Sequence, residues 1–338
     1  MTITRLWQTG AETQSLDEFD STGGNNISVD TSTKKTGNAS YKMQEFFSSA
    51  YGDVNVSATR QLRVGFFFNP NNTIYAGAAK SILQLRASGG SELAAIYQTG
   101  SGGSSDLILK VAGVTQDTEV GANAGGDFFH LGIDVKIDSS SGWVSVYKDG
   151  IEILSASGNT GNSDIEVVRF TNPGISEYQY YDDMYIDDTT GEATPAPPPI
   201  SRFYWLAPNG IGNYSDWTKS SGSDGYNLVD EVPPSDSDYV EADSVGEDES
   251  YNMDTLSLGA NQYIKAVIPT VRADRAGGTE EIKLGARLSS TDLLGDSQPL
   301  PTSAGYLHEY METKPGGGSW EQSDIDSFEI LLQSAGSF

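Results

Sequence analysis

A glycosidic bond is cut by two carboxyl groups facing each other across it. The sequence places such pairs at strand spacing twice, in Glu18-Phe-Asp20 and Glu241-Ala-Asp243. Residues two apart on a strand point to the same side, so each set presents its carboxylates together. Three residues beyond each Asp, where a further acid would complete a catalytic strand, stand Gly23 and Gly246. His130 and His308 are the only histidines, too few for a three-histidine metal site and without a His-x-x-x-His spacing. With no cysteine, no Gly-x-Ser-x-Gly elbow and no Gly-Lys-Ser/Thr phosphate loop, thiol, serine and phosphate-loop chemistry drop out. The glycine clusters at Gly100 to Gly103 and Gly316 to Gly318 precede no helical pattern and read as loops. No catalytic residue is assigned, and no enzyme is expected.

Other residues are suited to binding. Asp182-Asp183, Asp187-Asp188 and Asp236-Ser-Asp238 offer the paired carboxylates that Ca²⁺ favours. None has the spacing of an EF-hand loop, and solvated loop or strand-edge charge is the plainer reading. No metal site is assigned, and Ca²⁺ is the one cofactor these residues admit. Trp143, Tyr147, Trp205 and Trp217 have faces that stack on sugar rings, although core packing is the default for Trp. His130 and His308 read as exposed strand residues.

The elements that would position these groups are strands. Phe129-His-Leu-Gly-Ile-Asp-Val-Lys-Ile137 alternates apolar and polar residues, which predicts one buried and one wet face. Trp143 to Tyr147 and Ile151 to Ile153 flank Lys148-Asp149-Gly150, and Asp-Gly between alternating runs predicts a tight hairpin. Leu62 to Phe68, Ser81 to Leu85, Leu93 to Tyr97 and Leu107 to Val111 add strands separated by Gly/Ser turns. After residue 190 the composition breaks. Thr194-Pro-Ala-Pro-Pro-Pro199 favours a stiff extended segment that cannot enter a central strand, so 191–200 reads as a linker. Beyond it, Tyr263 to Ile268, Glu281 to Leu288, Gly305 to Met311 and Phe328 to Leu332 resume the strand pattern.

At 338 residues, two domains are expected, 1–190 and 201–338, each long enough for its own core. The formal charge of −27 leaves little attraction for nucleic acid or anionic membrane. It is spread along the chain, with 12 basic against 24 acidic residues in 1–200 and 8 against 23 in 201–338. The start, Met1 to Trp7, lacks the apolar core of a signal peptide, and no apolar run reaches the ~18 residues of a spanning helix.

Three stretches in order resemble the laminin G-like, or concanavalin A-like, jelly-roll family: Phe19-Asp-Ser-Thr-Gly with Lys34-Lys-Thr-Gly-Asn-Ala-Ser40, then Phe128 to Val135 with Val146 to Gly150, then Tyr181-Asp-Asp-Met-Tyr-Ile-Asp-Asp188. In the second half, Asn213-Tyr-Ser-Asp-Trp217, Val229 to Val240 and Trp320-Glu-Gln-Ser-Asp-Ile-Asp-Ser-Phe328 resemble a β-rich domain of tailed-bacteriophage structural proteins. The retaining glucanases of the jelly-roll class carry Glu-x-Asp-x-x-Glu on one strand, and here both sets lack the last acid. The expected fold is therefore all-β, a concanavalin A-like jelly-roll sandwich followed by a β-sandwich-like domain.

The phage resemblance implies a virion protein made in the host cytoplasm. It would be a capsid decoration or tail-apparatus subunit that docks on other virion proteins, is oligomeric in the particle and touches host surface glycan. The alternative, from a different class, is a carbohydrate-binding, lectin-like module without catalysis. A glycoside hydrolase with carboxylates drawn from distant strands is the lesser alternative.

Overall fold

The computed structural model describes residues 3–24, 26–44, 50–71, 79–101, 104–123, 126–172, 178–259 and 261–337. Gly102 and Gly103, in one of the glycine clusters, lie outside them. The protein is all-β and divides into two compact units, Met1–Tyr204 and Trp205–Phe338.

The first unit is a jelly-roll sandwich of two antiparallel sheets. One runs, in hydrogen-bonded order, Ile151–Gly158, Gly142–Lys148, Phe129–Lys136, Gln61–Asn69, Tyr178–Asp188, Ser40–Gln44 and Ile27–Asp30, with Thr4–Thr9 also pairing Tyr178–Asp188. The other runs Val114–Asn123, Ser104–Val111, Glu92–Ser101, Lys80–Arg86, Ile165–Asn172, Ala50–Thr59 and Ser21–Gly23. Every strand predicted in this half is present. The Asp-Gly turn has both φ angles positive, 50° at Asp149 and 83° at Gly150, the backbone that a two-residue hairpin requires.

The facing sides of the sheets fill with the apolar half of each alternation. Phe66 of the first sheet meets Phe170 of the second at 5.5 Å, with Tyr181 completing the ring cluster 5.3–6.0 Å from Phe66, Phe68 and Phe170. The Tyr181 hydroxyl lies 2.8 Å from the Thr171 carbonyl and 3.0 Å from that of Ile82, so a buried polar tip on one sheet is satisfied by backbone of the other.

The outward side of the first sheet departs from expectation. His130, Gly132 and Asp134 were to be the wet face of their strand, yet all three are buried, His130 and Asp134 at 0 % exposure. Over Gly132 and Asp134 the cover is the Pro-rich segment. The ring of Pro198 packs on Gly132, the Ala196 N–H donates to Asp134 Oδ2 at 2.7 Å, and the Tyr185 hydroxyl donates to the Pro199 carbonyl. Arg63, beneath the segment, pairs with Asp134 at 3.1 Å and with Glu192 at 2.5 Å. Instead of a free linker, residues 191–200 form a strap that belongs to the first unit. Proline excludes the segment from a ladder but leaves it free to lie flat across one.

The second unit is built on one antiparallel sheet in the order Pro208–Ser215, Asp248–Met253, Phe328–Ser337, Thr279–Leu288 and Thr291–Leu294, with Gln298–Pro299 pairing Thr279–Leu288. Thr218–Lys219 with Val240–Glu241, and Thr270–Ala273 with Gly305–His308, form two-stranded ribbons. Trp217, Tyr251, Leu284 and Leu332 make one apolar cluster and Met311, Trp320, Ile325 and Phe328 another. Trp320 meets Phe328 edge-on at 5.8 Å and donates its indole N–H to the Met311 carbonyl at 2.9 Å. Tyr263 to Ile268 is not a strand; only Val267 bridges to Met311, and Pro269, which has no N–H, follows.

Candidate functional site

The strap lies across the middle of the first sheet, and the second sheet has a polar, partly open outer face. The side turned out is read from burial. In Ser104–Val111 the residues Leu107, Leu109 and Val111 are buried, while Asp106, Ile108 and Lys110 between them are half-buried. Register then carries that side across the sheet. Lys110 stands opposite Ala95, Ala95 opposite Gln84, Gln84 opposite Arg169, Arg169 opposite Asp53 and Asp53 opposite Ser21. In the neighbouring row, Tyr97 lies between Ile108 and Ser81, and Tyr51 between Thr171 and Gly23.

Two half-buried aromatic rings dominate this face. Tyr51 lies over Gly23, where a β-carbon would come within 2.2 Å of the ring, so glycine is what gives the ring its place. The Arg169 guanidinium sits 3.7 Å from the Tyr51 centroid and forks onto Asp53 with two hydrogen bonds of 2.7 Å. Tyr97 donates its hydroxyl to Glu92 Oε2 at 2.8 Å and carries the Lys110 ammonium 3.9 Å from its centroid. Burial, and then the hydrogen bond and charge of Glu92, push the Tyr97 phenol up to about 12, so it remains a donor at neutral pH. Between the rings the Gln84 side-chain amide donates to Ser81 Oγ at 3.0 Å.

Rings flanked by planar amide, guanidinium and carboxylate groups suit sugars, whose faces are apolar and whose rims are hydroxyls. The carboxylates of this face are already engaged: Asp53 by Arg169, Glu92 by Tyr97, and Asp106 by the Gly121 N–H at 2.9 Å.

The residues singled out from sequence lie elsewhere. Glu18 is half-buried, accepts from the hydroxyls of Thr9 and Tyr41, and is pushed up by burial. Asp20 is exposed and accepts from the Asn55 N–H at 2.7 Å. Glu241 and Asp243 are exposed on a short ribbon and its edge, where Asp243 accepts from Thr218. His130 packs against Phe67 at 5.4 Å, neither ring nitrogen has a partner, and burial lowers it to about 4. His308 is half-buried, shares a 2.9 Å hydrogen bond with Thr270 Oγ1, and is likewise lowered to about 4 by burial. Neither is the exposed histidine expected.

The acidic pairs also have structural work. Asp187 pairs with Arg5, Asp188 accepts from the Thr190 N–H, and Asp236 is forked by Arg272. Asp238 is half-buried. Asp182 and Asp183, expected to be solvated, are wholly buried at a bulge in the last strand. Asp182 accepts from the N–H groups of Lys35 and Thr36, and Asp183 from the Thr36 hydroxyl and the Phe203 N–H. Among the described residues no group of three or more His, Asp or Glu side chains is placed to hold a metal ion. Of the aromatics, Trp143, Tyr147 and Trp217 are buried and Trp205 is half-buried.

Sequence reasoning missed Tyr51, Gln84, Tyr97, Lys110 and Arg169. The available signal was the polar half of each alternation, Asp106-x-x-x-Lys110 above all, but adjacency of five strands is needed to join those residues into rows.

Neither a family model nor a curated protein matches the chain. Among solved structures it is similar to a galectin of Caenorhabditis elegans, at 11 % identity and TM-score 0.30 over 43 % of this chain and 94 % of that one. A Bacillus subtilis protein of unknown function with a galectin-like fold is similar at 10 % identity and TM-score 0.37, over 55 % and 96 %. So is the catalytic domain of a glycoside hydrolase family 131 protein of Coprinopsis cinerea, at 13 % identity and TM-score 0.37, over 59 % and 98 %. Likeness at this level carries no argument about activity.

Proposed function

We propose that the protein is a carbohydrate-binding protein without catalysis, and that its first unit holds glycan on the outward face of the second sheet. The observation that supports this reading is the pair of rows in which Tyr97 and Tyr51 stand beside Lys110, Gln84 and Arg169. A hydrolase needs two carboxyl groups opposed across the sugar, and each acid on this face is tied to a donor of its own. The virion-subunit expectation rests on the resemblance of residues 201–338. Within the stretches that carry it, Trp217, Trp320 and Phe328 are core residues, whereas Tyr239 is exposed.

The reading is tested by screening the full chain against an immobilised glycan panel and titrating a bound oligosaccharide by calorimetry. Tyr97→Ala and Tyr51→Ala should each weaken binding about tenfold, or ~1.4 kcal/mol, with melting temperature nearly unchanged and no reducing sugar released. If no glycan binds, or both variants bind as tightly as the parent, the reading fails. Sugar release abolished by a single carboxylate-to-amide change would replace it with the hydrolase.

A further inference from the structure

The cations of the second-sheet face are unequal in what holds them. Arg169 is neutralised by Asp53. Arg86, farther along the sheet, donates to the Gly90 carbonyl at 2.7 Å. Lys110 has no carboxylate within ion-pair distance among the described residues, and its ammonium rests on the Tyr97 ring alone.

Nearby acids are committed elsewhere. Asp117 accepts from the N–H groups of Thr118 and Ser155, Asp106 from that of Gly121, and Glu92 from Tyr97. Directly across the ladder, Lys110 meets Thr115 on one side and Ala95 on the other, neither of which carries charge.

We infer that the face recognises an anionic sugar, a uronic acid residue that stacks on Tyr97 and places its carboxylate against Lys110 Nζ. The inference rests on the glycan-binding reading above and narrows it to a substrate class. An ammonium on a four-carbon stem can swing from the ring face to its edge, so the ring is freed for stacking while the charge stays beside it. A carboxylate partly withdrawn from water at that edge is held by a charge-assisted hydrogen bond, stronger than one to a neutral hydroxyl. The protein as a whole, at −27, repels polyanions. A preference for an acidic sugar must therefore arise from the few cations on the face itself, and a single substitution can remove it.

The test uses one polymer in two charge states. Homogalacturonan oligosaccharides, de-esterified and fully methyl-esterified, are titrated calorimetrically into the full chain and into Lys110→Met and Lys110→Arg. The parent should bind the acid form at least about tenfold tighter than the ester. Lys110→Met should lose that difference, its affinity for the acid form falling to its affinity for the ester, and Lys110→Arg should retain it. Equal affinity for both forms, or a preference that Lys110→Met keeps, overturns the inference and leaves the glycan reading standing. Binding of neither form, when a neutral glycan binds in the panel, overturns it too. A protein that binds no sugar at all takes both readings down.

Discussion

Pro198 rests directly on Gly132: a β-carbon on that glycine would approach the proline ring to 2.5 Å. Across the ladder stands Gly65, whose own missing β-carbon makes room for the ring of Tyr185 at 2.4 Å. Two paired glycines thus form a floor on which the strap and the tyrosine that holds it lie side by side.

Gly132→Val should lift the strap. Residues 191–200 are expected to resist limited proteolysis in the parent and to be cut early in the variant, with a stability loss of about 1–3 kcal/mol for the overpacked site. Early cleavage of the parent within 191–200 would contradict a docked strap.

Beneath the strap, Arg63 and Asp134 form an ion pair with side-chain exposures of 4 % and 0 %. Asp134→Asn removes one of the two carboxylates on Arg63 and leaves Glu192 in place, so it should cost about 1–3 kcal/mol in urea denaturation. The double change Arg63→Met, Asp134→Leu should cost less than the sum of its parts, because it removes both charges together. Strict additivity would show that the two residues do not act as a pair.

The carboxyls around the 35–38 turn set a pH dependence. Burial, opposed by the Asn38 N–H and helped by the charge of Asp183, raises Glu12 to about 8, and burial pushes Asp182 and Asp183 up as well, the charge of Asp183 adding to the rise at Asp182. Groups that bind protons more tightly when folded stabilise the protein below their unfolded values, and that stability is lost as pH rises through the folded ones. The melting temperature should therefore fall between pH 6.5 and 9, and Glu12→Gln should flatten the fall. A flat parent curve, or a slope that Glu12→Gln leaves unchanged, would refute this.

His130 works in the opposite sense. Its folded value near 4 lies below the unfolded 6.5, so folding must keep it neutral and stability is lost as pH drops from about 6.5 towards 4. His130→Leu removes two unpartnered ring nitrogens that lie buried beside Phe67. It should leave stability at pH 7.5 within ~0.5 kcal/mol and raise it by ~1 kcal/mol at pH 5. His308 shares the acid limb, so that limb should shrink without vanishing.

Local pattern made the strands and the Asp149-Gly150 turn legible, because alternation and positive φ are properties of a few adjacent residues. It also identified which residues of Phe129 to Ile137 are polar, but not what lies over them. A strap some 62 residues away decides that Asp134 is dry. The same limit hid the binding face: Lys110, Gln84 and Arg169 become neighbours only through three strand pairings. Tyr263 to Ile268 shows the converse, an apolar run with strand-like residues and only one bridging partner.

The pairing of Thr4–Thr9 with Tyr178–Asp188 fixes an order of events during synthesis. Arg5 and its partner Asp187 are 182 residues apart, so at about 5–20 residues per second the first strand waits on the order of 10–40 s for its neighbour to be made. Until then its hydrogen-bonding edge has no native mate, and neither has the adjoining edge of Gln61–Asn69 that the same late strand completes. The jelly roll closes from its last strand, and a ribosome stalled between residues 69 and 178 would leave three open edges at once, those of Thr4–Thr9, Ser40–Gln44 and Gln61–Asn69.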